Sequence, residues 1–202
     1  MKKLVVTVAA VLGLGFTAAN AQNISAGIKA DANMSNFILK DMRGASNDMK
    51  FGASLGGFMK VDIAEHFAIQ PELLFHYKTS KMKMSTSKMK MSTSKTDFEY
   101  WGVEVPVYAL GQWNSGNGRF YAGVGPYIGC GFSAEYKKGN IDLYDTDYLK
   151  RLDFGGGATV GYEFRNGLQI NAGYKIGFLD MIDHGNGKMF PQTVSLGLGF
   201  RF

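Results

Sequence analysis

The stretch Trp101-Gly102-Val103-Glu104-Val105-Pro106-Val107-Tyr108-Ala109-Leu110-Gly111-Gln112-Trp113 alternates with period two. Trp101, Val103, Val105, Val107, Ala109 and Trp113 share one side, and Tyr100, Glu104, Tyr108 and Gln112 share the other. Successive side chains of an extended chain point to opposite faces, so the pattern predicts a strand between two different environments. Trp101 and Trp113 stand twelve residues apart on the apolar side. At about 3.3 Å per residue and a tilt near 40°, that spacing matches the height of a bilayer's apolar band, with an aromatic anchor at each interface.

Seven more segments show the same parity. Before this strand, Ile24, Ala26, Ile28 and Ala30 oppose Ser25, Gly27, Lys29 and Asp31. Phe51, Leu55, Met59 and Val61 oppose Ser54, Gly56, Lys60 and Asp62, and Ile69, Leu73 and Phe75 oppose Gln70, Glu72 and His76. After it, Phe120, Val124, Ile128 and Cys130 oppose Tyr121, Gly125 and Tyr127, with a bulge or broken ladder expected at Pro126. Phe154, Val160 and Tyr162 oppose Asp153, Thr159 and Glu163; Leu168, Ile170 and Tyr174 oppose Gln169, Asn171 and Lys175. Finally, Val194, Leu196, Leu198, Phe200 and Phe202 oppose Ser195, Gly197, Gly199 and Arg201. Charged residues within these stretches all take the second face.

Parity leaves open which face is outside, and three features decide. The charged face is rich in glycine and makes a poor hydrophobic core, whereas the other offers aliphatics bounded by aromatics, as a lipid-facing band requires. Short turns (Ala64-Glu65-His66, 114–118, Arg165-Asn166-Gly167) alternate with long polar loops, the asymmetry of outer-membrane barrels with short periplasmic turns. Lipid cannot satisfy a free strand edge, so the first and eighth strands must pair. The predicted fold is all-β: an eight-stranded antiparallel up-and-down transmembrane barrel. Its terminal aromatic, Phe202, resembles the signal read by the bacterial barrel-insertion machinery, and truncating it is expected to impair insertion.

Met1-Lys2-Lys3, the apolar run 4–16 and Ala19-Asn20-Ala21 have the layout of a secretory signal. The expected division is residues 1–21 as signal peptide and 22–202 as the barrel domain. That apolar run is shorter than the roughly 20 residues a membrane-crossing helix needs. Gln22 follows the cut, so an acylated cysteine anchor is not expected. The formal charge of +5 loses two with Lys2 and Lys3, and the remaining +3 is weak support for a polyanion partner. Cys130 is the single cysteine, which excludes an intramolecular disulfide.

Several motifs in order resemble the porin-like outer-membrane β-barrel family of Bacteroidetes type, which includes the PorT-like proteins. They are Gly27-Ile28-Lys29-Ala30 followed by Asn33-Met34-Ser35-Asn36-Phe37, then Gln70-Pro71-Glu72-Leu73, Val103-Glu104-Val105-Pro106, Ala122-Gly123-Val124-Gly125-Pro126-Tyr127 and Gly197-Leu198-Gly199-Phe200-Arg201-Phe202. The resemblance covers nearly the whole mature chain. It implies the fold and the outer membrane of a Gram-negative bacterium, and it assigns no secretion role.

An inward charged face puts Lys29, Lys60, Lys175 and Arg201 in a narrow lumen with Asp31, Glu72, Glu104 and Glu163. Small barrels are filled by side chains, so these charges are expected to pair as a plug. A narrow porin or solute path through the same residues is the alternative. Residues 81–94 are two identical copies of KMKMSTS, followed by Lys95. The odd unit length predicts a protruding loop or a hairpin extension, and its charge offers a contact for surface polysaccharide or another polyanion. No nucleic-acid module is present.

His66 falls in a turn, His76 faces inward, and His184 sits beside Asp183 in the last loop. No spacing joins them into a catalytic or metal constellation, and Gly155-Gly156-Gly157 precedes no helix. Neither catalysis nor a cofactor is expected. The expected role is structural or surface-interacting, with a barrel enzyme and a soluble periplasmic barrel as further alternatives.

Overall fold

The computed structural model describes residues 24–40, 45–48, 50–84, 94–136, 141–142, 152–179 and 188–202. The expected leader 1–21, residues 85–93 of the repeat, and Asp183 with His184 lie outside the described residues. Among the described residues ten strands form: β1 (Ile24–Lys40), β2 (Ala45–Asp48), β3 (Lys50–Ala64), β4 (Phe67–Met84), β5 (Ser94–Ser115), β6 (Gly118–Tyr136), β7 (Ile141–Asp142), β8 (Leu152–Phe164), β9 (Leu168–Gly177) and β10 (Lys188–Arg201).

Eight of them close a ring in the order β1, β3, β4, β5, β6, β8, β9, β10. Every neighbouring pair is antiparallel, and closure runs between β1 and β10 from Gly27↔Arg201 to Lys40↔Lys188. The ring is therefore the eight-stranded barrel that parity predicts. β2 and β7 are additions on the loop side, pairing with the ends of β4 and β6. Segments of four and two residues are too short for periodicity to reveal.

Alternation reads directly as orientation. Leu196 is 66% exposed on the outer wall, whereas Lys60 is 1% exposed inside. Aromatics band both rims of the outer wall. Tyr77 and Trp101 lie 4.6 Å apart at the loop end, and Trp113 and Phe120 lie 6.1 Å apart at the turn end. Tyr162 with Phe164, and Phe200 with Phe202, continue the turn-end girdle.

The turns carry glycine where the backbone demands it. Gly116 has φ 57° and Gly167 φ 87°, a region in which a Cβ is strained. Each turn is also tied to a neighbour: Gln112 N donates to His66 O, Arg165 N to Asn117 O, and Arg201 N to Gly167 O. At the loop end, β4 and β5 extend as a paired hairpin through Lys81↔Asp97 to Met84↔Ser94. Part of the repeat is thus strand, the hairpin extension that its position between two strands allowed.

Three prolines step around one side of the wall. β3–β4 pairing stops at Phe58↔Glu72 and resumes at Val61↔Ile69, skipping Pro71. β4–β5 skips Pro106, between Pro71↔Val107 and Leu74↔Glu104, and β5–β6 skips Pro126, between Pro106↔Tyr127 and Ala109↔Val124. Proline has no N–H to donate, so each ladder breaks while its register is kept on either side. Pro126 thus marks a broken ladder, and the β5–β6 register shift falls between Trp101 and Gly102.

Candidate functional site

The lumen is built from the second face of each strand, and it sorts into two ionic tiers with a bulky layer between them. In the loop-side tier, Lys29 of β1 donates to Glu72 Oε2 of β4 at 3.1 Å and lies 3.8 Å from Asp31. Gln70 Nε2 donates to the other oxygen of Glu72 at 2.8 Å. Across the lumen, Lys175 of β9 pairs with Glu104 of β5, whose second oxygen is 3.7 Å from His76 Nδ1. Tyr127 OH donates to Asp153 Oδ2 at 2.8 Å, and Lys175 Nζ stands 5.9 Å from the centre of the Tyr127 ring.

The turn-side tier centres on Glu163 of β8. Its carboxylate takes Lys60 at 3.1 Å, Arg201 at 2.9 Å and Gln169 Nε2 at 2.8 Å, with Arg119 at 3.6 Å. Arg119 also reaches Asp62 at 3.6 Å. Lys60 Nζ lies 5.7 Å from the centre of the Tyr121 ring. Buried ions in such a medium must be paired and hydrogen-bonded, and one carboxylate collecting three donors, with Arg119 as a further cation beside it, meets that condition.

Between the tiers, Ala68, Tyr108, Leu110 and Tyr121 form a contiguous buried cluster, none more than 3% exposed. Phe58, Leu74 and Tyr127 are also buried inside. The inner face therefore carries more large apolar groups than a glycine-rich reading implies. Glycine is what lets them fit: a Cβ on Gly157 would meet Lys175 Cγ at 3.0 Å and Tyr108 OH at 3.1 Å, and one on Gly155 would meet the Tyr127 ring at 2.6 Å. The rings of Tyr108 and Tyr127 thus occupy space that β8 leaves open at its glycines, and a small cross-section is filled.

The eight predicted lumen charges thus fall into three groups: Lys29 with Asp31 and Glu72, Glu104 with Lys175, and Lys60 with Glu163 and Arg201. Parity also contained His76, Asp62, Asp153, Gln70 and Gln169. Sequence reasoning missed Arg119, although its odd number sets it on the side of Tyr121. Trp101 and Trp113 are about half exposed at opposite rims, and Phe202 donates its N–H to Ala26 O at 2.9 Å across the closing seam. Cys130 lies on the outer parity of β6. Among the described residues no three His, Cys, Asp or Glu are disposed to hold a metal. His66 lies in the first turn while His76 is buried in the loop-side tier.

A family model described as outer membrane protein beta-barrel domain matches residues 12–183. No curated protein matches the sequence. In fold the chain is similar to the outer membrane protein OprG from Pseudomonas aeruginosa, with 10% identity and a TM-score of 0.55, covering 89% of this chain and 97% of that one. It is likewise similar to Neisserial surface protein A (NspA), with 16% identity and a TM-score of 0.50, covering 90% of this chain and all of the other. The chain belongs to the outer-membrane β-barrel family, and its place is the outer membrane of a Gram-negative bacterium.

Proposed function

We propose that this protein is a plugged barrel whose lumen serves stability and whose work is done at its surface, as a structural or surface-interacting protein of PorT-like type. The observation that carries the reading is the mid-lumen layer of Ala68, Tyr108, Leu110 and Tyr121, none more than 3% exposed. An ion or solute path needs a hydrated route, and this layer sits where one would have to run. The separation of His66 from His76 supports a non-catalytic role.

In this reading residues 1–21 are removed on export, 22–202 insert as the barrel, and Phe202 is read by the insertion machinery. The β4–β5 extension carries Lys81, Lys83 and Lys95 beyond the band, which supports contact with an anionic surface polysaccharide. Planar-bilayer recording tests the plug: the monomer gives no steady conductance, and a large steady channel from monomer defeats the proposal. Crosslinking through the β4–β5 extension on intact cells tests the surface role, which fails if no surface component is recovered.

A further inference from the structure

At the turn-side mouth, between the β3–β4 and β5–β6 hairpins, lies a cleft of about 400 Å³ that shares Asp62 and Arg119 with the turn-side tier. Asp62, Glu65, Gln112 and Asn114 supply its hydrogen-bond acceptors, Ile63 and Ala64 give it an apolar flank, and Arg119 is the cation in its lining. Gln112 is 1% exposed. Its Nε2 donates to Asp62 Oδ1 at 2.6 Å, and its Oε1 has no hydrogen-bond partner. A buried amide oxygen left without a donor is costly, so a site lined by one favours a ligand that brings donors.

The electrostatics point the same way. Arg119 lies 3.6 Å from Asp62 and 3.6 Å from Glu163, so its charge is divided between a carboxylate of the cleft and one of the lumen. Glu163 is already held by Lys60 and Arg201, so the cleft's own lining sets two carboxylates, Asp62 and Glu65, against the Arg119 guanidinium. A primary ammonium has three donors and no acceptor, matching Asp62, Glu65 and the Gln112 oxygen. An alkyl stem behind it would run along Ile63 and Ala64. A divalent cation is less well served, because it needs six or more oxygens and only two carboxylates are offered.

We propose that this cleft binds a primary ammonium on an alkyl stem, as a lysine side chain of a periplasmic polypeptide presents it. The test is a titration of the full barrel, isotope-labelled in detergent micelles, with Nα-acetyl-lysinamide followed by amide NMR. The expected result is saturable shifts confined to residues 62–65 and 112–119, absent with the uncharged Nα-acetyl-norleucinamide. Glu65→Gln, on an exposed turn, and Gln112→Met each weaken binding by about tenfold while heat-modifiable gel mobility shows the barrel intact. Equal shifts with the norleucine compound overturn the proposal. Unchanged affinity in Glu65→Gln, or displacement of the lysine compound by calcium at lower concentration, does the same. The plugged-lumen reading stands or falls separately, on conductance.

Discussion

The wall has two unlike sectors. From β6 through β8, β9, β10 and β1 to β3, the paired positions run without a gap, and the inner face of β8 to β1 is mostly small or polar: Gly157, Thr159, Asn171, Ser195, Gly197 and Asn33. From β3 through β4 and β5 to β6, each ladder breaks at a proline, and the inner face carries Phe58, Leu74, His76, Tyr108, Leu110, Tyr121 and Tyr127. One sector holds its shape by backbone pairing, and the other fills the lumen with side chains. Neither arrangement would work alone. Bulky groups facing bulky groups would not fit an eight-stranded bore, and glycines facing glycines would leave it hollow.

Glu163 ties the two sectors together, because it stands on β8 and binds Lys60 from β3, Arg119 from β6 and Arg201 from β10. Glu163→Ala leaves Lys60 buried, and Arg119 and Arg201 partly buried, without this carboxylate and should destabilise the barrel by about 3–5 kcal/mol, read as a lower urea midpoint in lipid vesicles. A loss below about 1 kcal/mol would mean that the sectors are not coupled through this residue.

The glycine sockets come next. Gly157→Val drives a larger group into Tyr108 and Lys175 and should lose about 1–3 kcal/mol by overpacking. Combining it with Tyr108→Ala should cost less than the sum of the two single changes, since a vacated socket and a smaller ring compensate. Strict additivity would show that ring and glycine do not share the space.

Smaller again is the difference in local opening. Amides of Met59, Leu73, Val107 and Gly125, beside the three breaks, should exchange with deuterium about tenfold faster than those of Thr159 and Val160 in β8, as unpaired backbone opens at lower free energy. Uniform protection would erase the distinction between sectors. The least effect is expected from Pro126→Ala on the lipid face, which returns one donor to the β5–β6 ladder. It should raise stability by about 0.5–1 kcal/mol and slow exchange at Val107; unchanged exchange there would place the cause of the break elsewhere.

Period two made the barrel legible. Glu104, Lys175, Glu163 and Lys60 could be assigned to one face because a strand's side chains alternate whatever it pairs with. Partners were not legible. Lys60 reaches Glu163 from 103 residues away, and Lys175 reaches Glu104 from 71 away, which depends on strand stagger around the closed ring. Leu110 and Leu74 occupy charged-face parity and escaped notice as parts of an inner layer. Their fit rests on what stands opposite, and alternation along one strand says nothing about that.

The order of residues alone determined the eight strands of the wall, inside and outside, and the pairing of the chain's two ends, all local or forced by the absence of water in hydrocarbon. Tertiary structure decided the two ionic tiers, the layer between them and the cleft at the turn-side mouth. Those depend on the register of eight ladders at once, and a side chain's neighbours across a closed cylinder are set only when every ladder is in place.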